Sequence, residues 1–461
     1  MATEPSVIRA ISWRDLCPWT LLFRLYRLSL TLQFLILAYL GAWAVSLGWD
    51  AASAVILTDT TLAKSDVRQF LNNVSYWPES SLELQANAAS QVVTAIPSAV
   101  NLDAGSPATR MLTAAWQKLG HSPMYSLAEP LRRLFDPALS WNEFLFYLFG
   151  AVWTLVVWAW LGGAITRAAA VRLGRDERVG LRDSLEFSQR KLLSSLGAVL
   201  LPLGAIVAVS IPLFMLGLIM RLNIGVALGG ILWGVVALAG LVMSLFAVGI
   251  LFGWPLMWPA IGTEGSDAFD AISRSYAYTF QKPLHYLGYV SVATILGFLG
   301  WLIVGIFCES VVQFGMWGVG NGAGAERMAT IRAAVDASAP PVITDTTAGL
   351  SVRGEPVEAV ADAPVNSGMV AFGSRWICFV NRTVMGVQVA YGYSFMWSAA
   401  AAIYLLLRRD ADQAELDDIY VEEESGVTYG LPALKEDDAG VAGVDAEVPD
   451  AIPPATAENE S

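Results

Sequence analysis

A chain of 461 residues that is 55% hydrophobic and only 15% charged departs from soluble domains, where charged residues average about 25%. Its net charge of −13 is local: residues 409–461 hold 16 acids and 2 bases, leaving 25 acids and 26 bases elsewhere, so the acidity specifies no substrate and no nucleic-acid partner is expected. Three cysteines and two isolated histidines, His121 and His285, give no metal-ligand spacing, and no cofactor is expected.

Residues 1–28 mix Arg9, Arg14, Arg24 and Arg27 with Trp13, Trp19, Phe23 and Tyr26. This reads as a helix lying at the cytoplasmic interface, or as the basic flank of a signal-anchor. The first span is expected within 29–49, too long for a secretory h-region. Residues 50–140 have ordinary polarity broken by prolines and read as a small helical extracytoplasmic subdomain, with 129–137 a short amphipathic helix returning to the membrane.

Residues 141–317 read as four spans in two hairpins. Span two covers 141–166 and is followed by a charged elbow, 167–191, with seven Lys or Arg. Span three covers 192–220, kinked by Pro202 and Pro212. Span four runs from Ile224 to Ile261 without a polar break; Trp254, Pro255, Trp258 and Pro259 imply an end or bend at the headgroup level. Its glycines, Gly225, Gly229, Gly230, Gly234, Gly240, Gly249 and Gly253, read as close helix contacts. A second elbow, 262–283, carries Phe269, Ile272, Tyr276 and Phe280 on one face, and span five begins at Leu284. Residues 318–367 are rich in Gly, Ala and Pro and read as a flexible extracytoplasmic loop. A long sixth helix, 368–409, and an acidic, disordered cytoplasmic tail, 410–461, complete the chain.

The two elbows share a pattern. Asp183, Glu186 and Arg190 repeat as Asp267, Asp270 and Arg274, each set spaced i, i+3, i+7, so each forms a charged stripe on one helix face. The acid at i+3 precedes the Arg by four residues, the favourable orientation for a helical ion pair. Both Asp residues resemble N-terminal capping groups. These six side chains are the candidate interaction residues, toward lipid headgroups, the other elbow or solvent. Spans two–three and four–five would then be parallel repeats. The basic residues favour the elbows and both termini on the cytoplasmic side.

No P-loop, dinucleotide fingerprint, G-x-S-x-G or H-E-x-x-H is present. Glu309, near the outer end of span five, reads as an interfacial residue rather than as a proton or ion site. Cys308 and Cys378 flank one outer loop at heights roughly 12 Å apart, which leaves their pairing open.

The segment EGSDAFDAISRSYAYT (264–279) resembles the elbow of the membrane domain found beside glycerophosphodiester phosphodiesterases. GGAITRAAAVRLGRDERVGL (162–181) and AAIYLLLRRDADQAELDDIYVEEE (401–424) resemble blocks of uncharacterised planctomycete-type membrane proteins. The resemblance implies a fold and a bacterial inner-membrane location, not an activity, since no phosphodiesterase acid, base or metal residues match. The expectation is an all-α polytopic membrane protein with six transmembrane helices, two cytoplasmic amphipathic elbow helices and a small helical extracytoplasmic subdomain. It is expected to be non-enzymatic and to organise lipid or protein partners, the latter through its acidic tail; transport of a small or lipidic substrate is the alternative.

Overall fold

The structure, a computed structural model, describes residues 18–57, 67, 70, 123–134, 136, 139–338, 368–420, 434–436 and 442–444. Most of the subdomain expected over 50–140 lies outside the described residues, as do 1–17, 339–367 and most of the tail. The chain divides into two compact units, 1–419 and 420–461. In the second, β1 (Leu434–Glu436) pairs antiparallel with β2 (Ala442–Val444), Leu434 opposite Val444. A tail without any regular structure is therefore corrected at these residues.

The first unit is helical. Six of its helices are long and apolar enough to cross a membrane: α2 (Leu32–Ile56), α4 (Trp141–Gly174), α6 (Leu192–Ile219), α8 (Trp233–Glu264), α10 (Pro283–Ala323) and α12 (Gly368–Asp412). Shorter helices join them: α1 (Arg24–Ser29), after a 3-10 turn over Pro18–Phe23, then α3 (Pro123–Leu134), α5 (Leu181–Arg190), α7 (Asn223–Ile231), α9 (Ala268–Gln281) and α11 (Ala325–Ser338).

Helix α12 is central, with 83% of its most apolar stretch buried, whereas the corresponding figures for α6 and α8 are 11% and 6%. It packs on α2, α4, α8 and α10. Small residues make this possible, because in lipid only close van der Waals contact and hydrogen bonds draw helices together. The α2–α4 seam interlocks glycine with tryptophan in both directions. A Cβ on Gly48 would lie 2.0 Å from the Trp153 ring, and one on Gly150 would lie 2.1 Å from that of Trp49. Trp153 Nε1 donates to the Ala44 carbonyl, and Trp49 Nε1 donates to Thr154 Oγ1 at 3.1 Å. On the α10–α12 seam, Gly297, Gly300 and Gly305 receive Phe395, Tyr391 and Gln388.

Several expectations are corrected. The 38-residue fourth span is interrupted at Leu232, and α7, nine residues long, folds back on the end of α6; a Cβ on Gly225 would lie 1.9 Å from the Ile219 carbonyl oxygen. Gly230, Gly234 and Gly240 face open space, so these three are not helix contacts. Helix α8 runs through Pro255 and Pro259 to Glu264. Trp258 is buried, its Nε1 donating to the Ser195 carbonyl at 3.0 Å, and is not part of a headgroup belt. The glycine-rich stretch after 317 is helical through most of 318–338, because α10 continues to Ala323 and α11 returns along α12. The N-terminal segment does more than lie on a surface: Leu22 and Leu25 are fully buried, Tyr26 Oη donates to the Leu296 carbonyl at 2.7 Å, and Ser394 Oγ donates to that of Ser29. Cys308 and Cys378 are free, buried thiols.

The stretches 141–219 and 233–323 both read long helix, short helix, long helix, yet they differ in closure. Helix α4 packs against α6, whereas α8 and α10 barely touch.

Candidate functional site

The described structure gathers chemistry in two places, a charged hub at the end of α8 and an apolar cavity between α8, α10 and α12. The hub begins with a turn. Gly265 ends α8 in the left-handed region at φ 64, where a side chain is costly. Asp267 then caps α9, its Oδ1 accepting from the Asp270 backbone N–H at 2.9 Å. This tight reversal presents the Glu264 carboxylate to three elements.

Glu264 Oε1 accepts from Tyr404 Oη at 2.6 Å and lies 3.2 Å from Arg408 Nε. Its Oε2 lies 2.8 Å from Arg274 Nε. The carboxylate is 10% exposed and the Arg408 side chain 11%. Arg408 continues to Asp418, which it pairs through Nη2 at 2.6 Å. Arg274 also meets Asp270 at 3.2 Å, and Tyr278 Oη donates to Asp412. Burial alone would lower the Arg274 pKa; the Glu264 charge outweighs it and holds the guanidinium above its ordinary value. Burial first, and then Asp412, push the Tyr278 hydroxyl above its usual range. The hub therefore fastens α8, α9 and the end of α12 with every ionic partner opposed by another.

The six residues of the twin elbows separate here. Asp270 and Arg274 belong to the hub, and Asp267 caps it. Asp183, Glu186 and Arg190 are exposed on α5, Arg190 pairing with Glu186 at 2.9 Å. Asp183 is not the capping residue its pattern implied: Gly180 is the N-cap of α5, without a side-chain bond, and Asp183 sits three residues in. The equivalence of the two motifs is thus one of sequence, displaced by three positions on the helix.

What holds α5 is apolar and polar packing rather than its stripe. Ser188 Oγ donates to the Ala159 carbonyl at 3.2 Å, and Phe187 lies under the Arg167 guanidinium at 4.5 Å. Arg167, expected in the elbow loop, is within α4, buried, and donates to the Gly262 carbonyl at 2.8 Å. Lys191 Nζ donates to the Gly265 carbonyl at 2.5 Å, so the end of the first elbow reaches the start of the second.

The cavity occupies the gap where α8 and α10 diverge. Its volume is about 290 Å³, close to the lower end of small-ligand pockets. Trp254, Tyr286, Phe298, Trp301, Phe395 and Trp397 provide most of its aromatic wall, and Pro123, at the start of α3, closes one side. Thr294 and Tyr286 bring hydroxyls, but these donate to the Val290 and Phe252 carbonyls. No charged side chain lines it.

Glu264 stands inside one segment quoted above, and Tyr404 and Arg408 inside another, but no local pattern singles out any of the three. Among the described residues no group of His, Cys, Asp and Glu is arranged to hold a metal. No family model, no curated protein and no solved structure matches the chain.

Proposed function

We propose that the chain is a non-enzymatic integral protein of a bacterial inner membrane that organises lipid and protein partners. It crosses six times with both termini and both amphipathic elbows cytoplasmic. The observation that carries this reading is the character of the interior. The central helix is packed by glycine and aromatic side chains, and the cavity beside it offers apolar walls with satisfied hydroxyls. Such a space suits a lipid chain and offers little to solvate an ion, whereas ion-coupled transporters keep ionisable groups at membrane depth. The exposed charges of the first elbow, Asp183 and the paired Glu186 and Arg190, then lie at the headgroup level, and the acidic tail meets a basic partner.

Movement of a lipidic substrate is the second reading, favoured by one observation: α8 and α10 make few contacts and the cavity lies between them. Proteoliposomes separate the two. The organising role requires no flux of ions or small solutes and no acceleration of labelled-lipid exchange between leaflets. Exchange that stops when the cavity is filled, as in Gly297→Leu, overturns it in favour of transport. Single cysteines at Asp183 and Asp267 should react with an impermeant reagent from the same side; opposite sides remove the parallel-repeat topology.

A further inference from the structure

Four arginines from separate parts of the chain converge at the elbow end of α4. Arg172 belongs to its last turn, Arg178 to the loop that follows, and Arg24 and Arg27 to α1. Arg24, Arg27 and Arg178 all lie close enough to Arg172 to repel its charge, and Asp176 is the acid that offsets them. Asp176 pairs with Arg24 through Nη2. Arg175 and Glu177 lie beside the group but form a pair of their own at 3.4 Å.

A fold that brings like charges together pays for it in stability unless something negative fills the space. Two further observations, and the shape of the guanidinium group, describe that something. Arg24 Nη1 is buried and has no hydrogen-bond partner, which is costly until an acceptor meets it, and the Arg24 side chain as a whole is 37% exposed, so an acceptor can approach. Guanidinium forks match the oxygens of a phosphate group better than those of a spherical anion. The segment that carries Arg24 and Arg27 buries Leu21, Leu22, Leu25 and Leu28 while turning Trp19, Phe23 and Leu30 outward. Outward Trp beside Arg marks the headgroup level of a bilayer, where basic clusters attract anionic lipid.

We propose that Arg24, Arg27, Arg172 and Arg178 form a site for the phosphate of an anionic membrane phospholipid, with Trp19 and Phe23 on the same segment meeting the lipid below its headgroup. The site rests on the lipid-organising reading and names its lipid class. It also assigns a task to the N-terminal segment, which closes the site from the side opposite α4.

The test uses the full chain purified in a neutral detergent and titrated with phosphatidylglycerol, phosphatidylcholine or inorganic phosphate. Bound lipid is counted by native mass spectrometry, and the thermal midpoint is followed in parallel. Phosphatidylglycerol should be retained in preference to phosphatidylcholine and should raise the midpoint, the effect weakening with added salt. Arg172→Gln and Arg178→Gln should each lower its apparent affinity about fivefold, the weight of one basic residue at an anionic surface, while Arg221→Gln, at the opposite end of α6, leaves it unchanged. Arg178 is an exposed loop residue, so its variant reports even where Arg172→Gln does not fold. Equal retention of the two lipids, or variants that bind as the native chain does, overturns the site. Inorganic phosphate matching the lipid at the same concentration overturns the lipid as its source. Solute flux in proteoliposomes removes the organising role but leaves this outcome untouched, and an absent lipid preference without flux removes the site alone.

Discussion

A single methyl group separates two kinds of glycine in this chain. At Gly150 an added Cβ would lie 2.1 Å from the Trp49 ring, whereas at Gly240 nothing lies within 4 Å. Gly150→Ala must displace Trp49 and its bond to Thr154, and should cost on the order of 1–3 kcal/mol, as overpacking does. Gly240→Ala should be neutral or stabilise by up to about 1 kcal/mol through helix propensity. Thermal unfolding in detergent micelles checks both. Glu264→Gln should cost about 3 kcal/mol, because it leaves Arg274 and Arg408 without the buried charge that opposes them. Hydrogen exchange should then rise in a peptide spanning 404–419, while the α2–α4 seam keeps its protection. Neither contrast was legible in the sequence. All seven glycines of 225–253 fit the same small-residue spacing, and only the neighbours distinguish them. Glu264 and Tyr404 lie 140 residues apart, so no local pattern connects them, and a charge at a helix end looks the same whether it meets water or a partner.

Element by element, the sequence carried more. Apolar length alone places the six long helices, since a run of more than about 20 apolar residues leaves few other structures. Their ends were less visible. Helix α4 continues eight residues past Thr166 because Arg167 finds the Gly262 carbonyl and the Phe187 ring, neither of them near in sequence. Helix α3 offers a test that belongs to this scale. Its Glu129 carboxylate is 4% exposed and accepts from Arg132 Nε and Nη2 at 2.8 and 2.6 Å and from Arg133 Nε at 2.9 Å. Burial by itself would raise the carboxyl; the two guanidiniums outweigh it and hold it below the usual carboxylate range. A depressed folded-state pKa stabilises above the unfolded value of about 4.3 and is lost as pH falls through the folded value. The native chain should therefore melt above Glu129→Gln at about pH 6, and the two midpoints should converge as pH falls toward about 3. A difference that persists in acid assigns the effect to shape rather than charge.

For the molecule as a whole, the twin elbow motifs gave an architecture of two similar halves, and the departure between the halves is the informative part. Where α4 and α6 close on each other, α8 and α10 open, and the cavity lies in that opening. The outer surfaces of α6 and α8 are almost entirely apolar and uncovered: Val207, Ile211, Phe214, Leu238 and Leu241 are each more than half exposed. In a bilayer these side chains meet lipid at no cost. The sequence registered that both helices were apolar, but not that one side of the bundle would consist of them, because hydropathy does not tell a lipid-facing residue from one packed against another helix.

The order of burial also sets an order of events. Helix α12, the most enclosed, is synthesised after the other five long helices of the described residues, and α2, α4, α8 and α10 all pack on it. During synthesis α2, α4, α8 and α10 enter the bilayer around a place that nothing yet occupies, and the carboxylate at the end of α8 has Arg274 before Tyr404 and Arg408 are made. A nascent chain that stops before Gly368 is consequently not a shorter protein of the same kind. It lacks the helix that α2, α4, α8 and α10 share, and Glu264 holds only one of its two arginines.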